Sequence, residues 1–510
     1  MRNDYPRAKL YLPPSRPKVK RQIPTDRHRM TNGKDKPSSR NFNRITAADI
    51  AHFNTICGLD HVLTTADLTE NYAHDETENL RYYPEVVLRP GSTDEVVAVM
   101  RHCHQADIPI TPCGARTGLS GGALCVHGGV ALSTERLNKI LLIDEDNLQV
   151  VTQPGVITQV LQETVAECGL FYPVDPASRG SCFIGGNVSE NSGGPRAVKY
   201  GVTKDFVLNL EVVLPSGHVI RTGANTLKNA TGYSLTQLMV GSEGTLGIIT
   251  EITLRLLPHP KTNVLLLAPF DSAEKACEAV AAIFKLGITP SAMEFMERDA
   301  IRLAEAYTDT RAFASDIMAE ALLLIELDGN REESLHDEAA QIADLLENFG
   351  CREILFADSH EQKEKLWHLR RKVGEAVKHA SVYKEEDTVV PRFRLPQLLS
   401  GTKAICQRHG IRSVCYGHAG DGNLHINLLK DTMEDDQWET TARAAIIEIF
   451  QLTVSLGGTL SGEHGIGWVQ RDFMPLAFSQ IELNLMQRIK SAFDPTGILN
   501  PGKIFPPENQ

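Results

Sequence analysis

The chain has 510 residues, 42% of them apolar and 23% charged, and a formal net charge of −12. Its length and composition are those of a globular protein with several domains, its acidic balance argues against a nucleic-acid partner, and no apolar run nears the roughly 18 residues of a membrane span. The ten cysteines are scattered without a Cys-x-x-Cys pair, which argues against an iron–sulfur cluster, a zinc ribbon or a disulfide scaffold and predicts a reducing, cytoplasmic setting.

Residues 1–45 differ from the rest in charge. They carry 13 Lys and Arg against 3 Asp, a net +10, which leaves −22 for the remainder. The stretch LPPSRPKVKRQIP has no apolar periodicity, so disorder is expected. The plain reading is a dispensable extension; the alternative is an arm for targeting or for peripheral contact with the inner membrane face. No apolar h-region marks a secretory signal.

Order is expected from residue 46, with a first domain over 46–260. GSTDEVVAVMRHCHQADIPITPCG reads as a capped helix and a short strand, with Val96, Val97, Met100 and Cys103 on one face. His102 and His104 would point about 200° apart on that helix and read as structural. GGVALST and LQVVTQPG read as strands, ITQVLQETVAECG as a helix ending at Gly169, and LNLEVVLPSGHVIRTG as a hairpin turning at Pro215-Ser216-Gly217. GTLGIITEITLRLLP is a closing strand.

Three glycine-rich segments punctuate this domain. TPCGARTGLSGGAL (111–124) follows a strand and can turn its amides toward an anion. The dinucleotide fingerprint and the Walker loop are both absent. DPASRGSCFIGGNVSENSGGPRAVKYG (175–201) and GSEGTLG (241–247) repeat the pattern. Alone, each is equally a sharp turn; together they point to one large phosphate-bearing ligand.

A second domain is expected over 261–470. TNVLLLAPF, SAEKACEAVAAIFKLG and PSAMEFM read as strand, helix, strand; ALLLIELDG, EESLHDEAAQIADLLENFG and REILFA repeat the unit. Two such units predict a ferredoxin-like sheet with helices on one face, so the fold class is α+β. One long helix is expected around EQKEKLWHLRRKVGEAVKHA. Then come YGHAGDGNLHINLL and SGEHGIG. Residues 471–510 carry a helical period that stops at Asp494-Pro495.

His418, His425 and Glu463 offer the three protein ligands of a catalytic metal site with one open position. Asn427 shares a strand face with His425, and His464 is placed to act as a base. The competing reading is a pair of hydrogen-bonded structural histidines. His₂Glu alone also fits a metal hydrolase without flavin.

The three glycine segments resemble the PCMH-type FAD-binding domain of the vanillyl-alcohol-oxidase flavoproteins, over roughly residues 46–508. The resemblance implies a two-part FAD domain with an α+β cap domain and non-covalent FAD. It assigns Pro112, Gly114, Ala115, Arg116, Thr117, Gly118 and Ser120 to the pyrophosphate loop. Gly185, Gly186, Asn187, Ser192 and Gly193 would follow along the cofactor, with Glu243 and Gly244 in the third loop. FDPTGILNPGKIF is similar to the C-terminal segment that returns to the flavin domain, with Asn500 and Lys503.

HAGDGNLHIN and GEHGIG resemble the D-2-hydroxy acid dehydrogenase branch. This implies a divalent metal, often zinc, on His418, His425 and Glu463, His464 as base, and hydride transfer from substrate C2 to flavin N5. Arg370 matches the branch's carboxylate-binding arginine, a role its planar fork suits. Two positions depart from the hydroxyglutarate pattern: Gly374 stands for a threonine and Glu385 for a lysine, with Lys384 one place off. That favours D-lactate or glycolate over D-2-hydroxyglutarate. The electron acceptor would be a quinone, a cytochrome, a flavoprotein, a partner subunit or oxygen. The flavin fold also serves lyase- or transferase-like enzymes, which resemble this chain less around Glu463-His464, and non-catalytic subunits, against which Arg370, His418, His425 and His464 speak.

Overall fold

The computed structural model describes residues 41–312, 319–351, 353–357 and 359–507. The expected disorder of the basic extension therefore lies outside the described residues as far as residue 40. The first helix, Ala47–Cys57, opens on a capping box: the Asp49 amide donates to the Thr46 hydroxyl, and the Thr46 amide donates to the Asp49 carboxylate. The helix Thr93–Ala106 is capped by Ser92 and buries Val96, Val99, Met100 and Cys103. His102 and His104 diverge on it. His102 meets Asp49 at 2.7 Å, and His104 meets Thr496 at 3.2 Å.

Two larger sheets make the N-terminal half, beside a two-stranded pair, Leu170–Phe171 with Leu257–Pro258. One runs Val62–Leu63, Val86–Leu88, Val130–Ser133, Ile110–Cys113; the other runs Ile140–Asp144, Gln149–Thr152, Ile248–Arg255, Val207–Val213, Val219–Arg221. The first glycine segment leaves the strand Ile110–Cys113, and the third enters Ile248–Arg255. The C-terminal segment returns to this half. The Ile110 amide donates to the Ile498 carbonyl, and the Asn500 amide donates to the Ile110 carbonyl.

The second half is built on a seven-stranded antiparallel sheet. Its order is Leu355–Ala357, Thr262–Phe270, Ala321–Gly329, Ala292–Glu297, Arg412–Gly417, Asn423–Leu429, Tyr383–Val389. The first four strands, with the helices Ala273–Lys285 and Glu332–Glu347, have the ferredoxin-like arrangement. Helices cover both faces, not one. Leu266, Phe295 and Leu323 pack on one side, while Leu265, Leu267, Leu322 and Leu324 pack with Leu366, Trp367 and Val377 on the other. The reason lies in strands such as Ala321–Gly329, apolar at successive positions and therefore needing cover on both sides. The expected single long helix is two, His360–Arg371 and Val373–Ala380, broken at Lys372 (φ −86°, ψ −2°).

The second face also holds carboxylates. Ala292 pairs with Glu326, Glu294 with Leu324, and Asp387 with His425, which itself pairs with Tyr416. Side chains alternate along a strand, so Glu326, Glu294, Asp387 and Glu385 share that face. A buried charge must find partners or cost several kcal/mol. The partners these acids find make the site.

Candidate active site

The loop between the strands Arg412–Gly417 and Asn423–Leu429 is short and tight. Gly422 has φ +83°, and a Cβ there would fall 2.0 Å from the Val390 carbonyl oxygen. This turn brings His418 back over the strand that carries His425. Glu463 Oε1 lies 3.2 Å from His418 Nε2 and 3.6 Å from His425 Nε2. A tetrahedral ion with bonds of about 2.0–2.1 Å has donor–donor edges of about 3.3–3.4 Å. His418, His425 and Glu463 therefore fit one divalent cation, each through one atom.

The far nitrogens face carboxylates, as those of metal-binding imidazoles usually do. His418 Nδ1 lies 2.8 and 2.9 Å from the Glu294 oxygens. His425 Nδ1 lies 3.3 Å from Glu385, within ion-pair range but without a hydrogen bond. Burial would protonate Glu463, yet His418, His425 and His464 outweigh it and hold the carboxyl well below its ordinary range. Burial likewise opposes charge on His418, but Glu294 and Glu463 raise it well above the usual imidazole value. The acids demand positive charge here. Protons on the imidazoles or a divalent cation meet the same demand.

His464 stacks on His425, with ring centroids 5.2 Å apart and planes at 19°. Its burial disfavours the cation, and Asp387, Glu385 and Glu463 together raise its pKa despite that. Asp387 also shapes the main chain. Its Oδ2 accepts the amides of Gly462, Glu463 and His464 at 2.8, 2.7 and 2.9 Å and the Ser461 hydroxyl at 2.9 Å.

Arg370 Nη2 meets Glu294 Oε2 at 2.6 Å, and its guanidinium lies 5.1 Å from the Tyr416 ring centroid. Its Nε and Nη2 are both buried without a hydrogen-bond partner, so the contact with Glu294 is an ion pair. Asn427 is fully buried; its Nδ2 donates to the Val414 carbonyl at 3.4 Å, and its Oδ1 has no partner. Lys384 turns away to Glu439 at 3.2 Å, while Glu385 faces His425.

The glycine segments line one cleft, open at its mouth. Pro112, Gly114, Ala115, Arg116, Thr117 and Gly118 form part of its wall, with Gly185, Gly186, Asn187, Ser192, Glu243 and Gly244. Glu463 and His464 also lie in that wall, so the cleft reaches the imidazole cluster. Among the described residues, the amides of Ala115, Arg116, Thr117 and Gly118 donate to no protein oxygen, and Arg116 has φ 60°. Such a nest suits a pyrophosphate. A Cβ on Gly185 would fall 2.5 Å from the Pro154 Cβ, and one on Gly244 would fall 2.6 Å from the Pro112 Cγ. Here loops meet at backbone distance, and their unpaired amides along one open cleft suit an extended phosphate-bearing cofactor.

Four assigned cofactor residues stand back from that wall. Asn500 Nδ2 donates to the carbonyls of Gly122 and Glu243, and Lys503 Nζ to those of Gly122 and Leu124, so both hold the loops in place. Ser120 accepts the Trp468 amide through its carbonyl. A Cβ on Gly193 would lie 3.0 Å from Glu463 Oε2, so its small size admits the proposed ligand.

Comparison with known proteins decides the family. A model of the FAD binding domain matches residues 84–223, and one of the C-terminal domain of FAD linked oxidases matches residues 259–504. A D-lactate dehydrogenase of Anaerostipes hadrus is 38% identical over 91% of this chain and 98% of its own length. The chain belongs to the FAD-linked oxidase family. Other relatives are the glycolate oxidase subunit GlcD of Bacillus subtilis, 38% identical over 85% of this chain and 92% of its own, and a D-2-hydroxyglutarate dehydrogenase of Stutzerimonas stutzeri, 36% identical over 89% and 98%. Among solved structures, p-cresol methylhydroxylase shares the fold with a TM-score of 0.75 at 19% identity, covering 90% of this chain and 97% of its own. Alkyldihydroxyacetonephosphate synthase does so at 0.71 and 16%, covering 91% and 88%.

As an FAD-linked oxidase the chain is an oxidoreductase that binds FAD, and the flavin-free hydrolase reading falls away. Two residues escaped the sequence reading of this oxidase. Glu294 joins His418 to Arg370; its only signal was an acid inside the apolar strand PSAMEFM. Asp387 organises the Glu463 loop, and nothing local in the sequence pairs residues that far apart.

Proposed function

We propose that this FAD-linked oxidase is a D-2-hydroxy acid dehydrogenase that converts a small substrate, D-lactate or glycolate, to the 2-keto acid. One observation carries the reading: Glu463 belongs both to the wall of the FAD cleft and to the His418–His425 cluster. The relatives named for D-lactate and glycolate support the substrate class.

His418, His425 and Glu463 would hold a divalent cation, zinc by donor type. When bound, FAD supplies a hydride acceptor and the cation a Lewis acid for the substrate oxygens. Arg370, fixed by Glu294 and Tyr416, clamps the substrate carboxylate. His464 takes the hydroxyl proton once neutral, with its backbone set by Asp387. Asn427 offers its unpartnered Oδ1 beside the same face. Residues 46–260 form the FAD domain, 261–470 the cap that carries the cation site, and 471–510 the returning segment. Electrons leave to a quinone, cytochrome, flavoprotein, partner subunit or oxygen. Among the described residues no helix is long and apolar enough to cross a membrane; we place the enzyme in the cytoplasm, with peripheral membrane contact as the alternative.

D-2-hydroxyglutarate is the second reading, favoured by the relative of that name. Glu385 beside His425 and Lys384 bound to Glu439 weigh against it, because a second substrate carboxylate would meet a negative group. The test is anaerobic mixing of the holoenzyme with D- and L-lactate, glycolate and D-2-hydroxyglutarate while following loss of flavin absorbance. Rapid bleaching by D-lactate or glycolate alone is expected; bleaching by none of the four refutes the assignment.

A further inference from the structure

Three arginines converge where the FAD half meets the cap sheet. Arg179 Nη1 and Arg196 Nε each lie 3.9 Å from Asp175 Oδ2, and Arg196 Nη2 lies 3.8 Å from Glu326 Oε1. Arg371 is the third, half-buried with its guanidinium 5.4 Å from the Trp367 ring centroid. Burial and the nearby Arg179 both depress its pKa. These separations exceed hydrogen-bond range. Among the described residues none of the three guanidinium groups donates a hydrogen bond, although each carries five N–H donors.

The acids nearby accept no hydrogen bond from them, although Asp175, Glu326 and Asp328 outweigh burial and raise the pKa of Arg196. Glu326 already accepts from Trp367 Nε1 at 2.9 Å and from Ser291 and Asn263. Asp175 keeps a buried oxygen, Oδ1, without a partner. Glu364, near Arg371 at 3.8 Å, is a solvated helix residue with a side chain 56% exposed. The cluster is a surplus of oriented donors with solvent access.

Its place is informative. Pro176, Ala177 and Ser178, adjoining Arg179, lie in the wall of the cofactor cleft. Glu326 stands diagonally across from Glu294, the partner of Arg370, because Glu294 pairs with Leu324. Diagonal neighbours in a sheet are roughly 7–8 Å apart. The acid that Arg196 faces and the acid that Arg370 binds are thus diagonal neighbours on one sheet face.

We propose that Arg179, Arg196 and Arg371 form a second carboxylate site, a vestibule that receives the substrate anion before Arg370 takes it. The identity of that anion rests on the hydroxy-acid reading; the existence of the site does not. Bidentate donors draw carboxylates from water, so guanidinium groups with unmade hydrogen bonds can hold one.

The test uses the holoenzyme at low salt with inorganic sulfate as the probe, titrated calorimetrically. Sulfate binding is expected in the wild type and in Arg370→Gln, and at least tenfold weaker in Arg179→Gln and Arg371→Gln. Both substituted side chains are partly exposed, and unchanged thermal unfolding checks the fold. Absence of sulfate binding in the wild type, or its loss in Arg370→Gln alone, overturns the site. With D-lactate, Arg179→Gln and Arg371→Gln should lower kcat/KM about fivefold, flatten its salt dependence and keep kcat. An unchanged kcat/KM overturns the vestibule role. If no 2-hydroxy acid reduces the flavin, the functional reading fails while the sulfate titration still decides the site.

Discussion

Asp387 Oδ2 accepts the backbone amide of Glu463 at 2.7 Å, across 76 residues of sequence. The same oxygen holds the amides of Gly462 and His464. One buried carboxylate thus sets the backbone of a proposed ligand and of the proposed base together. Asp387→Asn keeps the shape but loses the charge that binds these amides. Metal affinity should fall about 10–100-fold, the usual effect of losing such a supporting group, while FAD stays bound. Metal and flavin content after dialysis against a chelator measure the two separately. Equal metal retention in variant and wild type would show that Asp387 does not position Glu463.

Glu463→Gln and His418→Ala remove ligands outright. Both should purify yellow, because the glycine loops that supply the pyrophosphate nest lie elsewhere in the cleft wall, yet bind no stoichiometric divalent cation. Flavin reduction by D-lactate should slow at least about 10²-fold, since Lewis-acid stabilisation contributes several kcal/mol. Exhaustive chelation of the wild type should reproduce that rate, and added zinc should restore it. A fully active chelated enzyme removes the metal from the mechanism.

His464→Ala should slow flavin reduction by about 10²–10⁴-fold, the range for loss of a general base, with FAD and metal retained. The pH profile has a definite sign. Burial lowers the pKa of His464, but Asp387, Glu385 and Glu463 raise it overall from 6.5. The base works when neutral, so the rate should rise with pH. Asp387→Asn deletes the strongest charge that favours the imidazolium and should move the rising limb to lower pH. A limb that stays put under Asp387→Asn assigns it to another group.

Gly244→Ala tests the cofactor cleft. Gly244 has φ +65°, and its Cβ would fall 2.6 Å from the Pro112 Cγ. Backbone strain and overlap act together, each costing about 1–3 kcal/mol. The expected result is a pale protein with FAD affinity at least tenfold weaker and near-normal metal content. Full flavin occupancy in the variant would mean that the Pro112 loop yields without affecting the cofactor.

The ferredoxin-like units were legible because apolar strands and amphipathic helices alternate over residues 262–357, and the Ser92 cap announced its helix. His418, His425 and Glu463 were legible as chemistry, since glycines crowd around them. Their support was not. Glu294, Glu385 and Asp387 read as charges inside or beside strands, and only the register of the seven-stranded sheet brings them to one face. Helices on both faces were missed because an unbroken apolar run has no period to count. The break at Lys372 was missed because the turn there depends on packing, while the sequence on either side favours helix. Asn500 and Lys503 marked the right segment, but whether a side chain meets a ligand or the loop behind it is decided by tertiary approach.

Glu386 lies between Glu385 and Asp387 yet faces the opposite side of the sheet, where Gln470 Nε2 donates to its Oε2 at 3.1 Å. Burial pushes its pKa from 4.5 up to about 8; Lys384 opposes this, and Glu385 and Asp387 add to it. In the folded chain the group is thus a neutral acid at neutral pH. Below pH 4.5 both folded and unfolded chains carry the proton, and the group's contribution to stability is fully present. As pH rises toward 8, the unfolded chain has released the proton and the folded chain still holds it, so stability is lost across that window. Glu386→Gln keeps the shape and the contact with Gln470 but cannot ionise. Its thermal unfolding should match the wild type near pH 4.5 and exceed it progressively up to pH 8, by on the order of 4–5 kcal/mol. Parallel unfolding curves across that range would mean that Glu386 is ionised in the folded protein and that the Gln470 contact holds a carboxylate.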